Sequence, residues 1–159
     1  MLAQQRIATP LGPLTALRDD EGLVGLWFDG QKHHPGLLDA PEAAADPLFE
    51  QVEAGLAAYF KGQALPQDLP LHPQGTPFQR AVWLALLQIP AGESRSYGEL
   101  AAQLGKPGSA RAVGAAVGRN PVSILIPCHR VLGADGSLTG YAGGLHRKTA
   151  LLKLEGLLQ

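Results

Sequence analysis

The stretch SYGELAAQLGKPGSARAVGAAVG, residues 96–118, decides the fold. Ser96 is followed three residues later by Glu99, a capping box that opens a helix. Leu100, Ala101 and Leu104 give that helix one apolar face. Gly105-Lys106-Pro107-Gly108 then reads as a tight turn, and Ser109 starts a second helix running to about Gly118. Two short helices across a four-residue glycine turn form the pattern of a helix-turn-helix. In the second helix Val113 and Val117 lie four apart and point to a core. Arg111 lies about 200° round from Val113 at ~100° per residue. Arg111 therefore shares the outer side with Gly114, Ala115 and Gly118. Major grooves are read with long polar side chains, and this face offers one arginine among residues with almost no side chain. It suits close approach to a nucleic-acid backbone or a narrow minor groove, with Arg111 as a probe. It equally suits packing against another helix.

Working outward, Thr76-Pro77-Phe78-Gln79 is another capping box with proline inside it. The helix it opens carries a stripe of Phe78, Ala81, Val82, Ala85 and Leu86, and Pro90 and Gly92 end it. Further upstream, Leu14–Leu17 and Leu23–Phe28 are short apolar runs around Asp19-Asp20-Glu21-Gly22, a hairpin signal. Residues 30–45 read as a loop. Asp46-Pro47 opens a helix with the stripe Leu48, Val52, Leu56 and Tyr59, with Phe60 alongside, ending at Gly62. Pro66, Pro70 and Pro73 mark an extended linker. The chain is thus α+β: a small antiparallel sheet with a helix over residues 1–74, then a mostly helical domain over 75–159.

A chain of 159 residues that is 45% hydrophobic and 17% charged suits one or two small folded domains, not disorder. No stretch is long and apolar enough for a membrane span, and the N-terminus lacks the pattern of a signal peptide, so a soluble cytoplasmic protein is expected. Residues 1–74 hold four Lys/Arg against ten Asp/Glu, a balance of −6. Residues 75–159 hold nine against four, a balance of +5, giving the net charge of −1. Only the second half would attract phosphates. The single cysteine, Cys128, excludes an internal disulfide and a multi-cysteine zinc site. His33, His34 and His72 fall in loops, where solvation competes with weak metal binding. No metal site and no cofactor are expected.

Cys128 is either an inert core thiol or a nucleophile. Ser123-Ile124-Leu125-Ile126 reads as a short buried strand leading into Pro127-Cys128-His129-Arg130-Val131. Thiolate is the reactive form, and His129 is the natural base because imidazole titrates near neutral pH. Neighbouring side chains of an extended strand point apart, so a Cys–His link needs a bend or a bridging water. Glu155, in the last turn of a helix ended by Gly156, faces the negative end of the helix dipole at a cost of about 0.3–1 kcal/mol. A partner such as His129 would offset that; a solvated glutamate is the other reading. Asn120, before Pro121, is a turn residue or a brace between the two segments. Residues 139–144, Thr139-Gly140-Tyr141-Ala142-Gly143-Gly144, form a glycine-rich loop that a flat ligand could approach.

The run Asn120 to Val131 resembles the active-site motif of O6-alkylguanine-DNA alkyltransferases. The likeness extends through residues 96–101, 110–114 and 140–144, Leu151-Leu152 and Glu155-Gly156. It implies a winged-helix-like C-terminal domain that flips O6-alkylguanine, and also O4-alkylthymine, out of double-stranded DNA. The alkyl group passes irreversibly to Cys128, one group per molecule. His129, acting through a water, takes the thiol proton, and Glu155 holds His129. Tyr97 donates toward guanine N3, and Asn120 braces the site. The resemblance further assigns DNA contacts to Tyr97, Ser109, Ala110, Arg111, Ala112 and Gly114, with Arg111 filling the space the nucleotide leaves. The base would meet Tyr97, Cys128, Val131, Tyr141, Ala142 and Gly143. It implies a monomer working from the minor groove, with no cofactor and no membrane. Some relatives carry tryptophan in place of the cysteine and only sense lesions; a sensor and a cysteine hydrolase are the alternatives.

Overall fold

The computed structural model describes residues 1–159. Contacts divide the chain into two compact units, Met1–Gln74 with Pro121–Leu125, and Gly75–Asn120 with Ile126–Gln159. No helix is long and apolar enough to cross a membrane.

In the first unit, β1 (Ala3–Ile7), β2 (Leu14–Arg18) and β3 (Leu23–Phe28) form an antiparallel sheet in the order β1-β2-β3. Leu14 to Leu17 are all buried, so both faces of the middle strand are covered. Asp19 closes the hairpin as an Asx turn, its Oδ1 accepting from the N–H groups of Glu21 (2.9 Å) and Gly22 (3.0 Å). On β3, Trp27 lies directly over Gly25: a Cβ at Gly25 would meet the indole at 1.9 Å. The segment Pro121–Leu125 pairs with the same strand, with Leu26 N–H donating to Pro121 O and Ser123 N–H to Leu26 O. Helix α1 (Pro47–Phe60) is capped by Asp46 and buries Leu48, Phe49, Val52, Leu56 and Tyr59.

The second unit contains α2 (Pro77–Leu87), α3 (Tyr97–Gln103), α4 (Ala110–Gly118) and α5 (Leu145–Leu154). Both capping boxes are formed: Thr76 with Gln79, and Ser96 with Glu99. Helix α3 ends in a Schellman motif, with Gly105 N–H on Ala102 O and Lys106 N–H on Ala101 O. Gly105 has φ +72° there, which only glycine adopts without strain. The next helix, α4, buries Val113, Ala116 and Val117 and leaves Arg111, Ala112 and Ala115 exposed. Trp83 of α2 is buried and donates its indole N–H to Ala116 O at 2.9 Å. That bond ties α2 to the last turn of α4. Two short strands, β4 (Arg95–Ser96) and β5 (Val131–Leu132), pair in parallel, as Arg95 with Val131 and Ser96 with Leu132. They fix the start of α3 beside the segment that follows Cys128.

The expected strand at Ser123-Ile124-Leu125-Ile126 does not form. Leu125 N–H donates to Ser123 O (2.8 Å) across Ile124, whose φ is +71°. A γ-turn with positive φ on a β-branched residue is a strained arrangement. The run is apolar because it is buried, not because it is extended.

Candidate active site

The site grows from the turn that replaces that strand. Pro127, at φ −81° and ψ 64°, is the centre of an inverse γ-turn closed by Cys128 N–H on Ile126 O at 2.8 Å. Cys128–Arg130 then form one turn of 3₁₀ helix, and Val131 N–H closes it on Cys128 O. This bend, not a strand end, sets Cys128 and His129 on one compact turn. Asn120 braces it from the end of α4, its Nδ2 donating to Ile126 O at 2.8 Å.

His129 is fully buried. Its Nε2 lies 2.8 Å from Glu155 Oε2. A carboxylate only accepts, so Nε2 carries a proton, and in the neutral ring Nδ1 is then the nitrogen with the lone pair. Nδ1 is itself buried, and no protein group hydrogen-bonds it. Glu155 is the C-cap of α5, and its side chain is 2% exposed. Gly156 follows at φ +84° and lets the chain turn away. Arg130 grips the same carboxylate with two bonds, Nε to Oε1 and Nη2 to Oε2, both 2.8 Å, and its Nη1 donates to Ile89 O at 2.6 Å. That cation offsets the conflict of a carboxylate at a helix C-terminus.

A second buried cation stands behind the first. Lys148 is 1% exposed, and its Nζ donates to Val131 O (2.5 Å) and Thr139 O (3.3 Å). Burial pulls its ammonium down to about 8, partly offset by the nearby Cys128. Cys128 is 6% exposed. Burial pushes its thiol up, against hydrogen bonding from the Asn120 side chain and the charge of Lys148. The thiol is therefore held protonated at rest and needs a base for activation. His129 is shifted down by burial; Glu155 opposes that shift, while Arg130 and Lys148 reinforce it. The imidazole is thus neutral with a free lone pair, the form a base requires.

Tyr97 is the first residue of α3, and its hydroxyl hydrogen-bonds Thr139 Oγ1 at 2.8 Å. Since Lys148 binds Thr139 O, the tyrosine connects through Thr139 to the carbonyl of Val131. Gly114 of α4 lies against the Tyr97 ring, where a Cβ would sit 3.5 Å from Cδ1. Ser109 is the N-cap of α4 but makes no side-chain cap bond; Ala110, Arg111 and Ala112 form the first turn of α4. Tyr141, Ala142 and Gly143 lie in the loop entering α5, where Gly144 N–H donates to Tyr141 O and Arg147 to Gly143 O. No group of three or more His, Cys, Asp or Glu is arranged to hold a metal. His72 lies between Asp19 (2.6 Å) and Glu21 (2.8 Å), and His34 Nδ1 accepts from Gly36 N–H.

Sequence reasoning overlooked Lys148 and gave Arg130 and Thr139 no role of their own. For Lys148 a signal existed: it lies three and four residues before the buried Leu151 and Leu152, on the inner face of α5.

Residues 77–157 match the DNA-binding domain of the 6-O-methylguanine DNA methyltransferase family, and residues 4–73 match that family's ribonuclease-like domain. A methylated-DNA–protein-cysteine methyltransferase of Mycobacterium tuberculosis is 48% identical over 98% of this chain and 93% of its own length. One from Salmonella typhimurium is 47% identical over 99% and 97%. The crystal structure of Mycobacterium tuberculosis OGT in complex with DNA superposes with a TM-score of 0.87 at 48% identity, covering 96% of this chain and 92% of that one.

Proposed function

Because this chain belongs to the 6-O-methylguanine DNA methyltransferase family, whose members repair DNA by alkyl transfer to a cysteine, we propose that Cys128 is the acceptor and His129 its base. The carrying observation is a His129 whose Nε2 is held by Glu155 while no protein group hydrogen-bonds its Nδ1. The thiol proton passes through a bridging water to Nδ1. The sulfur then attacks the alkyl carbon; the S–C bond forms as the O6–C bond breaks, and guanine leaves with the electron pair. Tyr97 donates toward N3, and the Ala142 N–H bonds O6, so charge developing on the base is met by fixed donors. The backbone carbonyls of Cys128 and Val131 accept from the guanine amine, each using a lone pair beyond the one already engaged. Nothing in the site would remove a thioether, so each molecule acts once.

The alkyl carbon is out of reach in a stacked duplex, and the base must be everted at a cost of a few kcal/mol. Arg111 of α4 is exposed and inserts in its place, while Ser109, Ala110, Ala112 and Gly114 follow the backbone in the minor groove. O4-alkylthymine presents the same oxygen–alkyl bond and is a second substrate. Residues 1–74 serve as a scaffold for the catalytic domain of 75–159, and the protein works as a monomer in the cytoplasm. The test is titration with duplex DNA carrying radiolabelled O6-methylguanine. Label should move to protein and stop at one equivalent, and Cys128→Ser should abolish transfer. Tight binding with no transfer would instead make the protein a lesion sensor.

A further inference from the structure

Arg130 is buried, with its side chain 7% exposed, and three of its donors are engaged. Two grip Glu155, and the third ties the guanidinium to the carbonyl of Ile89, two residues past the end of α2. Glu155 Oε2 is shared between Arg130 Nη2 and His129 Nε2, so the position of the imidazole is set through a carboxylate that Arg130 fixes. The charges facing the imidazole are Glu155 and Lys148 from α5 and Arg130 from the 3₁₀ turn itself, with the titratable Cys128 beside it. That makes two cations and one anion. Burial already disfavours the imidazolium; without Arg130, the pull of Glu155 toward protonating His129 would be opposed by burial and Lys148 alone, and the ring would be less available as a base.

We propose that Arg130 is a positioning residue for alkyl transfer: by clamping Glu155 it orients His129, and by its charge it keeps the imidazole neutral, with Nδ1 free to receive the Cys128 proton. This rests on the alkyl-transfer reading above. The donors of Arg130 reach Glu155 and Ile89 O, so its effect on His129 is exerted through Glu155 and through its charge. A lysine would supply the charge without the two-bond grip, and a glutamine neither.

The test is ¹⁵N NMR titration of the His129 imidazole, with single-turnover methyl-transfer rates over the same pH range, in the unaltered protein, Arg130→Lys and Arg130→Gln. In the unaltered protein, Nδ1 should give the signal of an unprotonated nitrogen from about pH 6 to about pH 8. Arg130→Gln should raise the protonation midpoint of His129 by about one unit or more, with the acid limb of the rate profile rising alongside, and Arg130→Lys should recover part of that shift. A uniform loss of rate with an unmoved midpoint would overturn the proposal and leave Arg130 a packing residue. If Arg130→Gln does not fold, the unaltered protein decides, because a His129 protonated at neutral pH overturns the proposal alone. Methyl transfer by the unaltered protein is read separately, so failure here leaves the alkyl-transfer reading standing.

Discussion

Lys148 places a positive charge in the interior, and that charge sets a pH dependence that can be isolated. Its ammonium titrates at about 8 in the folded protein, against 10.5 for a solvated lysine. Between those values the unfolded chain binds more protons than the folded one, so stability rises with pH. Below about pH 7 both states are charged, and Lys148 contributes no slope. Integrating the linkage relation from about pH 7 to about pH 9.5 gives a gain of roughly 2 kcal/mol from this one group. The perturbation is Lys148→Met, made in a Cys128→Ser background so that the thiol does not titrate. Removing the lysine leaves Val131 O and Thr139 O without this donor, which offsets the relief of a buried charge, so stability at one pH decides nothing. The slope does decide. Because Cys128 opposes the downward shift, its removal can only enlarge it, so urea unfolding at both pH values should show the lysine protein gaining roughly 2 kcal/mol or more relative to the methionine protein. Parallel curves, or a difference that shrinks as pH rises, would refute the placement of a charged Lys148 in the core.

Arg111→Ala should weaken duplex binding and slow methyl transfer to DNA at least tenfold, while leaving unfolding within about 0.5 kcal/mol, because Arg111 is exposed; DNA titration and urea melts read the two separately. Trp83→Phe should cost about 1–3 kcal/mol, from the lost volume and the lost bond to Ala116 O, and the bond's share is small because Arg119 N–H still donates to that carbonyl. Gly25→Ala should cost about 1–3 kcal/mol, since the new methyl occupies the space of the Trp27 ring; an unchanged urea midpoint would show that the ring can move at no cost.

Much of the local structure is legible in the chain because it depends on neighbours three or four residues apart. Thr76 with Gln79, Ser96 with Glu99, Asp46 before Pro47, and the glycines at 105 and 156 each act on backbone groups within one helical turn. The run at 123–126 was misread because burial alone makes a sequence apolar, and period cannot separate a buried strand from a buried turn. The pairing of Leu26 with residues 121–123 joins positions almost a hundred residues apart, which no local pattern encodes. Lys148 was missed because a lysine is ordinarily taken as solvated. At the site, Cys128 and His129 were legible together because they are sequence neighbours within one short motif. The carboxylate shared by His129 and Arg130, and the link from Tyr97 through Thr139 to Lys148, exist only once α3, α5 and the 3₁₀ turn converge.

Peptide mapping by mass spectrometry, after the protein meets a duplex bearing one O6-methylguanine, addresses the chemistry most directly. The expected result is a single added methyl on the peptide containing Cys128, with unmodified guanine restored in the DNA. A Cys128 peptide of unchanged mass alongside repaired guanine, or a methyl on any other side chain, would contradict the assignment of that sulfur as the acceptor.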